Sequence, residues 1–188
     1  MKANEISKYI ISLTINNPEE DLTNMKLQKI LYYLQGYYLA IFDNYLFTDD
    51  IEAWKYGPVV CEEYHTYKGY GNNSIVIPET DHNFSYLNTT QKTFINKVYS
   101  HYRQFSAIKL MELTHKEEPW LKTYGKANII EKDDLKKFFN DSILKEQFIL
   151  LDKKEERRKA AEFLLADYLY DSDLTELTFS DKDDIYEN

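Results

Sequence analysis

Between Asn24 and Pro58 the chain reads NMKLQKILYYLQGYYLAIFDNYLFTDDIEAWKYGP, and this stretch restricts the fold more than any other. Leu27, Leu31, Leu34, Tyr38 and Ile41 recur at helical spacing and form one face, which Ile30, Tyr33 and Tyr37 widen. A helix that is apolar on more than one side must be covered on more than one side, so the domain has to be built around it. Thr23 or Asn24 supplies an oxygen for its N-terminal amides, and Asp43-Asn44 ends it. Gly36 in mid-helix costs about 1 kcal/mol against Ala. Close approach by another backbone explains such a glycine; chance is the alternative.

After this helix, Tyr45–Phe47 and Ile51–Tyr56 are β-prone and flank the turn-like Thr48-Asp49-Asp50, so a small hairpin is expected there. Gly57-Pro58 reads as the start of a helix over Pro58–Lys68, because proline fits the first helical position. Further helices are expected over Ala3–Ile15, from an Asn88-Thr89-Thr90 cap to about Gln104, over Ala107–His115 behind Ser106, over Pro119–Tyr124, and over Asp134–Phe139 behind Asp133. Ser142–Tyr170 reads as one long helix or two, with Phe163 and Tyr168 among the returning apolar positions. The end, DSDLTELTFSDKDDIYEN, is acidic and carries Leu174, Leu177 and Phe179. It is either a solvated end or a segment that orders on a partner. The fold class is therefore mainly α: a compact helical domain with a small β-hairpin over residues 1–141, followed by a C-terminal helical extension with an acidic tail over 142–188.

The formal net charge of −9 disfavours contact with a phosphate backbone, so direct nucleic-acid binding is not expected. The basic run Lys153–Lys159 is broken by two glutamates and reads as a solvated helix face. One cysteine, Cys61, excludes an intrachain disulfide and reads as a small core residue beside Val59 and Val60. Met1–Ile15 lacks a signal-peptide pattern and no apolar run reaches the length of a membrane span, which reads as a cytoplasmic chain with no membrane partner.

The sequence offers little chemistry. The four histidines His65, His82, His101 and His115 have no metal-ligand spacing, so no metal and no cofactor is expected. Glu62 and Glu63 near His65, and His115 with Glu118, are the nearest approaches to an acid–base or metal site, and a solvated face or a structural histidine accounts for each. A nucleophile elbow, a phosphate-binding loop and a dinucleotide fingerprint are absent, and no catalytic residue is assigned. Trp54-Lys55-Tyr56 remains. In an extended chain Trp54 and Tyr56 share one face and Lys55 the other. Either Trp54 packs on the central helix, or this aromatic pair and Lys55 form a contact surface, where Trp and Tyr are favoured anchors. The partner-binding residues selected are Trp54, Lys55, Tyr56, Phe163, Tyr168, Leu177 and Phe179.

The order of features resembles the Panacea antitoxin domain, the SocA-like or phage-associated GepA-like family. The residues that carry the resemblance are Met25–Tyr33 with Gln35-Gly36 and Leu39, then Tyr45-Leu46-Phe47, Ile51–Trp54, Tyr56–Val60, Tyr64 and Tyr67-Lys68. A second block is Leu113-Thr114-His115 with Glu118-Pro119-Trp120. The match spans about Asn4–Phe139 and departs from the family at Leu34 and Tyr37-Tyr38. No DNA-binding or zinc module precedes it, so control of its own promoter is not expected of this chain alone. The resemblance implies a helical, non-enzymatic antitoxin that neutralises a cognate, co-encoded toxin by direct protein binding. The alternative it implies is an adaptor that delivers the toxin to an AAA+ protease. An acidic chain suits a basic toxin.

Overall fold

The computed structural model describes residues 1–15, 21–76, 83–142 and 144–148. Chain contacts separate Met1–Phe148 from Ile149–Asn188, and the described residues all belong to the first of these units. The expected helix stop at Asn16-Asn17-Pro18, Ile77, and every expectation beyond Phe148 lie outside the described residues.

The tyrosine-rich stretch forms helix α2, Asn24–Phe42, and from Asn24 to Leu39 every residue except Met25 is buried. Thr23 Oγ1 accepts from the Lys26 amide at 3.3 Å, and Asp43 closes the helix in the left-handed region at φ 51°. Around it lie α1 (Ala3–Thr14), α3 (Cys61–Tyr67), α4 (Thr89–Tyr102), α5 (Ala107–Thr114), α6 (Glu118–Thr123) and α7 (Lys132–Asn140). Helices α1, α3, α4, α5 and α7 pack on α2, and α7 is its principal neighbour. The domain is mainly α, as expected, with α2 as its shaft.

The contact between α2 and α7 explains Gly36. A Cβ at this position would overlap the ring of Phe139, which is buried edge-on to Tyr32, Tyr33 and Tyr37 at centroid distances of 5.4, 6.0 and 4.6 Å. The close approach is thus made by an aromatic ring and not by a backbone. Gly36→Ala is expected to lower stability by about 1–2 kcal/mol, overpacking outweighing the better helix propensity. Chemical denaturation checks this. In a Phe139→Leu background, which removes the ring, the same change should cost nothing or stabilise.

Caps at Thr23, Asn88 and Ser106 form as expected. Asn88 Oδ1 accepts from the Gln91 amide at 2.8 Å, and Gln91 Oε1 accepts from the Asn88 amide at 3.1 Å. Ser106 Oγ accepts from the Lys109 amide at 3.1 Å. Helix α7 starts two residues before the expected Asp134, with Glu131 at its cap position and no side-chain cap. Asp133 and Asp134 instead sit in its first turn, where carboxylates are favoured by the helix dipole. After α7, the Tyr37 and Ser142 hydroxyls hydrogen-bond at 3.0 Å and Phe148 lies edge-on to Tyr37 at 4.8 Å.

The hairpin exists but pairs different residues. Strand β1, Glu52–Trp54, runs antiparallel to β2, Gly57–Val59, with Trp54 opposite Gly57 and a turn at Lys55-Tyr56. Tyr45–Phe47 is not a strand, because its backbone is bonded by a side chain of α2. Gln35 Oε1 accepts from the Leu46 and Phe47 amides at 3.1 and 3.2 Å, and its Nε2 donates to the Phe47 carbonyl at 2.9 Å. Thr48-Asp49-Asp50 is no hairpin turn either: Asp49 Oδ2 accepts from the Ala3 amide at 2.9 Å, at the start of α1. Pro58 lies in β2 and does not open α3. Gly57 at φ 96° is in a conformation that favours glycine and is not helical, and the next free amide, Val60, donates to Gln28 Oε1 at 3.0 Å. On its other side β1 is held by residues 128–130: Ala53 donates to the Asn128 carbonyl at 2.7 Å and Ile130 to the Ile51 carbonyl at 2.8 Å. Cys61, at the first position of α3, is partly exposed, contrary to the expected core position.

Candidate protein-interaction site

The polar residues of α2 are spaced to grip the hairpin. Asn24, Gln28 and Lys29 are buried, and each is used. Gln28 Nε2 donates to Asn24 Oδ1 at 3.0 Å, Asn24 Nδ2 donates to the Tyr64 carbonyl at 3.0 Å, and Lys29 Nζ donates to the Pro58 carbonyl at 2.8 Å. The missing side chain of Gly57 makes room for this lysine: a Cβ there would lie 2.7 Å from Lys29 Cε and 2.8 Å from Thr114 Oγ1.

The opposite side of the hairpin is held by α5 and α6. Trp120 Nε1 donates to the Trp54 carbonyl at 2.9 Å. The Trp120 indole is stacked between the rings of His115, at 4.1 Å, and Tyr124, at 4.5 Å. Below this layer Tyr33 donates to Glu117 Oε1 at 2.9 Å. The hairpin is therefore clamped between α2 and the segment from Thr114 to Trp120.

Burial sets the protonation of this clamp. Desolvation pushes the Lys29 ammonium down to about 7. His115 is held below its ordinary value, first by burial and then by the neighbouring lysine. Desolvation raises the Glu117 carboxyl to about 6, against the opposing effect of the Tyr32 hydroxyl nearby and the hydrogen bond from Tyr33.

What the clamp presents is a groove of about 470 Å³ between the hairpin, the first turns of α2, and α3 with its following 3₁₀ turn, Lys68–Tyr70. Trp54, Lys55 and Tyr56 line it together with Tyr64, Lys68 and the buried Lys29. Trp54 is partly buried, its ring edge-on to Tyr64 at 5.0 Å and its Nε1 donating to Glu52 Oε2 at 2.8 Å. Tyr56 is 56% exposed, with the Lys55 ammonium 5.4 Å from its ring centroid. The structure thus brings three of the residues selected from sequence into one cavity wall. Phe163, Tyr168, Leu177 and Phe179 lie outside the described residues.

Glu62 and His65 lie exposed on α3, and His115 is engaged in the stack beneath the hairpin. Among the described residues, no three His, Cys, Asp or Glu side chains converge on a metal position. No helix among the described residues is long and apolar enough to cross a membrane.

The clamp joins the two sequence blocks that carry the resemblance, the α2–hairpin run and the Thr114–Trp120 run, and the antitoxin-family model SocA_Panacea (Antitoxin SocA-like, Panacea domain) matches residues 27–121. The chain belongs to the SocA-like antitoxin family. No curated protein and no solved structure matches it. For a SocA-like antitoxin the matched span is apt, since it runs from the shaft helix to the tryptophan that fixes the hairpin. Sequence reasoning missed Lys29, Gln28, Tyr64, Lys68 and Glu117 as parts of the site. The available signal was the polar Gln28-Lys29 pair inside a helix apolar on more than one side; such residues persist there only when they bond something.

Proposed function

We propose that this SocA-like antitoxin neutralises its cognate toxin by direct binding, without catalysis, through the hairpin tip and the groove beside it. The observation that carries the reading is the exposure of Tyr56 on a hairpin whose backbone is fixed by Lys29, Gln28 and Trp120. A rigid, exposed aromatic beside a cavity is the type of anchor that dominates protein interfaces, because little entropy remains to be lost on binding. The segment beyond Ser142 adds contacts through Phe163, Tyr168, Leu177 and Phe179.

Co-expression with the toxic product of the adjacent reading frame tests this. Growth should be restored, and the two proteins should co-purify as a stable complex with the toxin's half-life unchanged. Tyr56→Ala should weaken the purified complex roughly 30-fold, about 2 kcal/mol, with an unaltered melting curve. Joint replacement of Phe163, Tyr168, Leu177 and Phe179 by Ala should weaken it further. Rescue without any complex, or a toxin that is degraded faster in the antitoxin's presence, contradicts neutralisation by occupancy.

A further inference from the structure

The groove has the opposite charge sign to the chain. The formal net charge is −9, yet the groove is lined by Lys29, Lys55 and Lys68 and by no Asp or Glu. Lys55 and Lys68 are exposed and, among the described residues, neither pairs with a carboxylate. Lys29 lies at the floor and spends one donor on the Pro58 carbonyl. Between the two exposed lysines the walls are aromatic, formed by Trp54, Tyr56 and Tyr64.

An acidic chain that gathers unpaired lysines around an apolar cavity is matched to a ligand that is apolar at its centre and acidic at its flanks. A volume of about 470 Å³ lies in the range of pockets that bury a bulky group. No arginine lines the groove, so the bidentate grip that favours phosphate is lacking. Lysine point charges at the rim suit carboxylates, which can stay partly hydrated while a side chain enters between them. We propose that the groove seats a short acidic peptide segment of the toxin, with one aromatic or branched aliphatic side chain in the cavity and Asp or Glu on either side paired to Lys55 and Lys68. This rests on the reading of the hairpin face as the toxin-binding surface, and it specifies the partner's chemistry. Charge complementarity would then set partner choice and association rate, while the inserted side chain sets residence time.

The test uses the full chain and a random peptide library displayed on phage, followed by anisotropy of the selected peptides carrying fluorescein. Selected sequences should place Asp or Glu beside Trp, Phe or Leu. Their affinity should fall about tenfold or more in the Lys55→Glu/Lys68→Glu variant, whose exposed positions leave the fold intact. Peptides with Lys in place of their acidic residues should bind that variant better than the original protein, a reversal that mere loss of structure cannot produce. Selection of sequences without acidic bias, no selection at all, or acidic peptides indifferent to the two substitutions would overturn the proposal. So would fluorescent ATP competing for the groove while no peptide does, which would assign it to small anions. In each of these cases a toxin complex that still forms leaves the antitoxin reading standing; a complex that never forms removes both.

Discussion

Gln35→Met is expected to lower stability by about 3–5 kcal/mol, a large share of the roughly 5–15 kcal/mol that holds a domain together. The side chain is wholly buried and makes three hydrogen bonds to the backbone of Leu46 and Phe47. Methionine fills similar space but satisfies none of them. Two amides and a carbonyl then remain in the interior without partners, each costing about 1–3 kcal/mol before relaxation. The loss is felt beyond the loop, since the same segment carries Asp49 to the first turn of α1. Urea denaturation should show a lower midpoint with an unchanged slope. A loss below about 1 kcal/mol would mean that water replaces the amide, and that this side chain is not what prevents Tyr45–Phe47 from forming a strand.

Between about pH 7 and 9.5 Lys29 should contribute about 3 kcal/mol of rising stability, and Lys29→Met should abolish that contribution. Burial brings the Lys29 ammonium from 10.5 down to about 7. Across that window the unfolded chain holds a proton that the folded chain has released, so raising the pH favours the folded state. Cys61, whose thiol is pushed up by burial, opposes this weakly. Above about pH 10 the sign reverses: the phenols of Tyr32, Tyr33 and Tyr102 are raised by burial, so the unfolded chain ionises first. Glu117, raised from 4.5 to about 6, acts with the same sign in the acid range, where stability falls as pH climbs through that interval. Urea midpoints at about pH 7 and about pH 9.5 for the two proteins decide the matter. Equal slopes would show that Lys29 keeps its proton in the folded state.

The shaft was legible because its signal is local. Apolar residues on more than one side of α2 can only mean burial on more than one side, and oxygens at Thr23, Asn88 and Ser106 cap the helices that follow them. The position of the hairpin was not legible. Tyr45–Phe47 has the composition of a strand and Gly57-Pro58 that of a helix start, and both preferences lose to side chains distant in sequence. Gln35 takes the amides of one segment, and Gln28 and Lys29 fix the other. No window of neighbouring residues contains that information. The same holds for the groove. Trp54-Lys55-Tyr56 stood out as an aromatic pair around a cation, but Tyr64 and Lys68 join them only because Asn24 bonds the Tyr64 carbonyl and seats α3 beside the hairpin. The Thr114–Trp120 block was visible through resemblance alone, and the bond of Trp120 to the hairpin, with His115 stacked on that indole, gives the physical reason for it.

Hydrogen exchange of the full chain, free and bound to the toxin, tests the central claim most directly. Binding through the hairpin face should slow exchange at residues 54–57 and 64–72, with α7, none of whose residues line the groove, unchanged. Slowing confined to other segments, with a neutralised toxin in the same sample, would contradict the account.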